Sequence, residues 1–249
     1  MSISIIGNWK SNGSLDLNKV WVKDFLNSIN SSAIQDTAVC PPFIYLEQMI
    51  DLTSDIDLSI GSQDIDSSNG ARTGSISVDA CRDIGCTISI IGHSERRALF
   101  HESNLEIRDK LIAAHVNNMQ VILCIGETKE HHLSGTTNDF LQNQITESLA
   151  NLELLDGFMI AYEPVWAIGT GDTPQSNEIN AIHKFIKDIV QSSSKNNFTP
   201  NVIYGGSVSS KNAEVLFNEE HIDGALIGGA SLNGKEFAQI ANIYKDRGI

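Results

Sequence analysis

Basic residues are scarce in this chain. Seventeen Lys and Arg stand against 31 Asp and Glu, a formal net charge of −14 over 249 residues. So acidic a protein carries no electrostatic footprint for nucleic acid or an anionic membrane, so neither is expected as a partner. Long apolar runs are also missing; none approaches the roughly 18 residues of a membrane span. The start, MSISIIGNWK, has no basic segment leading into a long apolar one. Neither a signal peptide nor a membrane helix is expected, which points to the cytoplasm. The four cysteines, Cys40, Cys81, Cys86 and Cys124, include no C-x-x-C pair. Buried free thiols in a reducing compartment are expected ahead of a disulfide or a metal site. The first apolar run ends Gly7-Asn8-Trp9-Lys10, not in the G-x-G-x-x-G turn that usually opens a doubly wound dinucleotide fold. No linker, low-complexity tract or composition shift divides residues 1–249, so one domain is expected.

What is present is a repeating alternation. Short β-branched runs recur at Ile3–Gly7, Thr37–Cys40, Asp57–Gly61, Thr87–Gly92, Gln120–Ile125, Gly157–Tyr162, Asn201–Gly205 and Gly224–Gly228. Several are apolar at consecutive positions, as strands covered on both faces require. Helical periods lie between them: Leu15–Ile29 (stripe Leu15, Val22, Phe25, Leu26, Ile29), Leu105–Val116 (Leu105, Ile107, Leu111, Ile112, Val116), Phe140–Leu154, Ile179–Val190, Ala213–Phe217 and Phe237–Tyr244. Asn138-Asp139 and Thr173-Pro174 read as start signals for two of them. Strand–helix alternation implies parallel βαβ units. Eight units in about 250 residues fit a closed (β/α)8 barrel.

In such a barrel, chemistry sits at the carboxyl ends of the strands. Those positions hold Asn8 and Lys10, Gln63, His93-Ser94-Glu95, Cys124 with Gly126-Glu127, Glu163, Tyr204-Gly205-Gly206-Ser207, and Gly228-Gly229-Ala230-Ser231. A Lys, a His and a Glu thus share one rim. Glu163 ends an apolar run, and Pro164 stops the ladder there because it has no N–H to donate. Val165 and Trp166 then lead to a Gly-flanked tip. A base beneath an apolar lid fits this run, although Glu163 alone also fits a carboxylate buried in a turn. The glycine loops at 205–207 and 228–229 let backbone N–H groups approach an anion. A short helix starting near Ser231 or Asn233 would add its dipole.

Seven segments carry a family resemblance: GNWKSNG (7–13), CPPF (40–43), GHSERR (92–97), CIGET (124–128), AYEPVWAIGTG (161–171), YGGSV (204–208) and LIGGASL (226–232). Together they resemble the triosephosphate isomerase family from end to end. The resemblance implies a TIM barrel interconverting dihydroxyacetone phosphate and D-glyceraldehyde 3-phosphate through an enediolate. This is a step of glycolysis and gluconeogenesis, and it needs no metal or cofactor. Glu163 would be the base. His93, at the start of a helix near Ser94 that disfavours the imidazolium, would polarise the carbonyl as a neutral ring. Lys10 would supply fixed positive charge, Asn8 a second donor, and Glu95 would position Lys10. Ser94 and Cys124 stand in support. Gly169, Ser207, Gly228 and Gly229, with Lys10, would hold the phosphate. Pro164, Val165, Trp166, Ala167, Ile168, Gly169 and Thr170 would form the lid, with Trp166 and Ile168 covering the site and Tyr204 and Ser207 bonding the closed form.

The resemblance also implies a homodimer, with the polar loop Ser62–Ser77 inserting beside the neighbour's site. Gln63, Arg72, Thr73 and Gly74 are the expected interface residues. Arg72, Ser75 and Asp64 depart from the family's usual residues there, so altered interface electrostatics are expected. Asp172-Thr173-Pro174 departs at the far hinge of the lid, and Ser11 follows Lys10 where Met is frequent. His131-His132 is read as loop, and His101, His115, His183 and His221 as solvated or capping. A barrel enzyme for a larger sugar phosphate would share the glycine loops. That enzyme would need no Lys10, His93 and Glu163 set, and against a non-catalytic binding relative the intact set argues that activity persists.

Overall fold

The computed structural model describes residues 3–150, 152–154, 156–167 and 174–247. Eight parallel strands close into a barrel in chain order: β1 (Ile5–Asn8), β2 (Thr37–Cys40), β3 (Ser59–Ser62), β4 (Ile88–Ile91), β5 (Gln120–Ile125), β6 (Met159–Tyr162), β7 (Asn201–Tyr204) and β8 (Ala225–Ile227). Closure is made by β1, whose Ile5 is in register with Thr37 of β2 on one side and Ala225 of β8 on the other. All eight expected strands are present, shifted by a residue or two at most ends.

The consecutive apolar residues have a clear physical cause. Side chains alternate across a strand, and here both faces are dry. Ile6, Ala38, Cys40, Ile88, Ile90, Ile122, Cys124, Met159, Ala161, Ile203 and Leu226 fill the barrel interior. Their neighbours, such as Ile5, Val39, Leu123, Ile160 and Val202, pack in a second core under the helices. Each apolar side chain of the strands therefore serves one core or the other.

The helices follow the expected periods with corrected ends: Leu15–Leu26, Asn104–Val116, Thr137–Leu149, Ser176–Ser193, Ala213–Phe217 and Gly234–Asp246. Asn138-Asp139 falls inside the Thr137–Leu149 helix. The Ser176–Ser193 helix is started by a capping box between Gln175 and Glu178, downstream of the expected Thr173-Pro174. Two expected stripes were drawn too wide: Leu15, Leu26, Leu105, Ile112 and Val116 are exposed, and Trp21, Val22, Phe25, Ile107 and Leu111 make the buried face. His131-His132 lies on a short helix, Lys129–Leu133, not in a loop. His183 is fully buried, between the rings of Tyr162 and Tyr204, rather than solvated. Burial without a charged partner drives its pKa down to about 3.

Candidate active site

A cleft of about 140 Å³ opens at the carboxyl ends of the strands. Asn8, Lys10, His93, Glu163, Ser207, Gly228 and Gly229 all line it. Sequence positions from 8 to 229 meet there because each closes its strand on the same rim.

Lys10 stands just past β1 in the left-handed region, with φ +51°. For a residue with a Cβ this costs about 1–3 kcal/mol and persists only where neighbours over-determine it. They do: its N–H donates to Asn8 Oδ1 at 3.0 Å, and its carbonyl accepts from Gln63 Nε2 at 2.8 Å. The Gln63 amide also reaches the Cys40 carbonyl at 2.8 Å, tying β1, β2 and β3 together. The ammonium lies 2.5 Å from Glu95 Oε1. Lys10 Cε in turn passes Gly228, within 3.6 Å of where a Cβ would stand.

His93 follows β4 and caps the Ser94–Leu99 helix. Its Nδ1 accepts the Glu95 N–H at 3.2 Å, so that nitrogen keeps its lone pair and the proton of the neutral ring sits on Nε2. Nε2 meets Glu163 Oε1 at 2.9 Å, and Glu163 Oε2 accepts the Ser94 N–H at 2.9 Å. Burial disfavours the His93 cation, but the Glu163 carboxylate outweighs it and raises the His93 pKa. Glu163 is lowered: its near-complete burial would raise it, yet His93, the Ser94 amide and the Lys10 charge together prevail. The carboxylate is therefore ionised and parked on His93 and Ser94. Gly205 makes that parking space, since a Cβ there would fall 2.7 Å from Glu163 Cγ.

The stem of the lid takes a different course from the expected one. Val165–Ala167 is a single 3-10 turn. Trp166 does not line the cleft; its Nε1–H donates to Glu127 Oε1 at 2.6 Å, and its ring stacks on His132 at 3.9 Å. It anchors the stem beside the β5 end. Ile168, Gly169, Thr170 and the hinge residues Asp172 and Thr173 lie outside the described residues, so the expected lid contacts of Gly169 do too. Tyr204 is buried, and Cys124 lies inside the barrel near Glu163, with burial pushing its thiol well above the usual range.

Several contributors had no assigned role in the sequence reading. Arg97 donates to the carbonyls of Gly92 and Cys124 and to Asn104 Oδ1, locking the β4 and β5 ends. Gln144 accepts the Gly126 N–H at 2.9 Å. Arg97 lies on the Ser94–Leu99 helix and Gln144 on the Thr137–Leu149 helix. Val208 and Leu226 add apolar walls to the cleft.

The loop after β3 is braced within the chain. Arg72 Nε donates to Asp66 Oδ2 at 2.7 Å, and Asn69 bonds Asp79. Asp64 is paired with Lys110 at 2.7 Å and Arg96 at 2.9 Å. Arg72, Thr73, Gly74 and Ser75 are exposed at its tip. Among the described residues no helix is long and apolar enough to cross a membrane.

Known proteins match this arrangement throughout. The sequence profile of the triosephosphate isomerase family covers residues 3–244. Triosephosphate isomerase of Hahella chejuensis is 39% identical over 242 residues, 95% of this chain and 96% of that protein. The Rhizobium meliloti enzyme is 39% identical over 97% of this chain and 96% of its own. The crystal structure of triosephosphate isomerase from Bartonella henselae superposes with a TM-score of 0.87 at 32% identity, covering 97% of this chain and 98% of that one. Family profile, relatives and barrel agree that the chain belongs to the triosephosphate isomerase family.

Proposed function

We propose that this chain interconverts dihydroxyacetone phosphate and D-glyceraldehyde 3-phosphate, with Glu163 moving the proton between the two reacting carbons. The observation that carries this reading is one ionised, buried carboxylate meeting the Nε2 proton of His93, with a clamped Lys10 on the same rim. A carboxylate held on two donors is a poor base. Turning from them to the substrate trades those donors for an apolar setting and restores its basicity. That move frees Nε2–H of His93 to donate to the substrate carbonyl. It also removes the cause that raises the His93 pKa, so the ring stays neutral as enediolate charge builds. Lys10 and Asn8 stabilise that charge. Ser207, Gly228 and Gly229, beside Lys10, take the phosphate, with Gly169 joining from the lid. A closed lid keeps water from the enediolate, which otherwise loses phosphate.

The chain acts as a homodimer in this proposal. Leu15, Ile44, Leu99 and Phe100 are exposed apolar residues in the segments following β1, β2 and β4, and the braced loop at 62–77 extends from the β3 end between them. A second copy covers them, and Thr73 at the exposed tip reaches the neighbour's Lys10 side. Arg72 brings little net charge to that contact because Asp66 already pairs with it. In this proposal the chain works in the cytoplasm on a small phosphorylated substrate.

The deciding experiment is Glu163→Gln with both triose phosphates in deuterated solvent. Turnover and deuterium uptake at the substrate carbon fall together by several orders of magnitude, since general-base catalysis contributes about 10²–10⁴-fold and its placement adds more. Unchanged exchange removes Glu163 as the base. For the dimer, sedimentation at nanomolar protein that finds an active, folded monomer ends that part of the proposal.

A further inference from the structure

The short helix Val78–Asp83 ends in a turn that brings two cysteines together. Gly85 takes φ +103°, a conformation that favours glycine. Its N–H donates to the Arg82 carbonyl at 2.9 Å, and the Cys86 N–H donates to the Cys81 carbonyl at 2.9 Å. This crossed pair of bonds is a Schellman turn, which brings the side chains three positions inside the helix end and two beyond it into contact. Those positions ordinarily hold two hydrocarbons. Here they hold Cys81 and Cys86, both buried and both free.

We propose that Cys81 and Cys86 form a dithiol–disulfide pair oxidised by a peroxide. Both thiols are free and buried, so a small neutral oxidant such as hydrogen peroxide has better access than a bulky disulfide. The backbone brackets the pair with its own hydrogen bond, so a disulfide forms without moving the strands. Cys81 is the attacking sulfur. The adjacent Cys86 thiol lowers its pKa despite burial and the nearby Asp64, while Cys86 itself is raised by Cys81 and by burial. The Cys81 thiolate attacks one peroxide oxygen, the O–O bond breaks, and hydroxide leaves and is protonated to water. The resulting sulfenic acid is attacked by the Cys86 sulfur. The S–S bond forms as the S–O bond breaks, and the thiol proton leaves with the hydroxyl as water. Two thiols lose two protons and two electrons, and one peroxide becomes two waters. Cys40 and Cys124 lie inside the barrel, where burial pushes Cys40 up to about 12 and Cys124 well above the usual range. They are the slow thiols of this chain.

The test uses the whole native protein, graded hydrogen peroxide, denaturing alkylation with N-ethylmaleimide and tryptic mass mapping. Arg82 lies between the two cysteines, so trypsin cuts the turn and a disulfide holds two peptides together. The expected product is that linked pair, lighter by two hydrogens, separated by dithiothreitol, with Cys40 and Cys124 still alkylated. In Cys86→Ala, Cys81 stops as a sulfenic acid that dimedone traps. In Cys81→Ala, Cys86 stays a thiol. The proposal is overturned if all four thiols remain alkylated at peroxide levels that oxidise the urea-unfolded chain. It is also overturned if Cys81 advances to sulfinic acid beside a free Cys86, or if Cys86 links to Cys40. The readout is mass and not turnover, so its outcome is separate from that of the isomerase reading.

Discussion

Two buried carboxylates on the same rim titrate in opposite directions. Glu163 follows β6 and Glu127 follows β5, and both are almost wholly inaccessible. Glu127 meets only neutral donors of its own: the Tyr162 hydroxyl at 3.1 Å and the Trp166 indole at 2.6 Å, with His132 more distant at 3.9 Å. Burial wins there, and its pKa is raised. Glu163 meets a ring N–H, a backbone amide and the field of Lys10, and its pKa is lowered despite equal burial. Burial alone therefore does not make a base; the partners decide. Partners that can be left behind, such as His93 and Ser94, give a carboxylate somewhere to go. Glu127, held by the Tyr162 and Trp166 rings, is a fixed anchor for the lid stem.

Breaking this contrast is most visible in turnover. Glu163→Gln lowers kcat by several orders of magnitude, whereas Glu127→Gln, whose amide oxygen still accepts from Tyr162 and Trp166, lowers it less than about tenfold, since no step of proton transfer runs through it. Steady-state kinetics on both variants measures the ratio. His93→Gln comes next, with a loss of about 10²–10⁴ in kcat at nearly unchanged KM, as removal of an electrophile that acts on the developing charge requires.

A third test sharpens the electrostatics. In Glu163→Gln the carboxylate that raises His93 is gone, so the His93 imidazole titrates at lower pH than in the unmodified chain, followed by ring NMR. A rise in that pKa contradicts the assigned cause.

The smallest effect is on stability. Folding raises the Glu127 pKa, so its contribution is full below the ordinary carboxylate range and is lost as pH rises through the folded value. Folding lowers the Glu163 pKa, so its contribution is full above that range and is lost as pH falls through the folded value. Glu127→Gln therefore melts higher than the unmodified chain at neutral pH, by about 1 kcal/mol or ~2–4 °C. The difference fades in acid. Calorimetry at pH 7 and below pH 4 reads both signs.

The legibility of this protein in its sequence divides along the same line. The strands were visible because each serves two dry cores, which writes consecutive apolar residues such as Val121, Ile122, Leu123, Cys124 and Ile125. The rim residues were visible because they directly follow those strands. Helix ends were less so: the capping box at Gln175 begins the helix after Thr173-Pro174, and Leu15 and Val116 keep a helical period while facing outward. His183 read as solvated because no local pattern marks a histidine enclosed by two tyrosines from different strands.

The amino-acid sequence by itself determined the barrel, the rim and which residues stand on it, since strand periodicity and chain order suffice for those. Only the tertiary structure decided what each rim residue does at rest. That Glu163 is parked and ionised, that Trp166 faces Glu127 and His132 and not the cleft, and that Gln63 after β3 clamps the strained Lys10 after β1 are all contacts between distant segments. Charge, desolvation and hydrogen bonding act over a few ångströms of space, and separation along the chain carries no record of that distance.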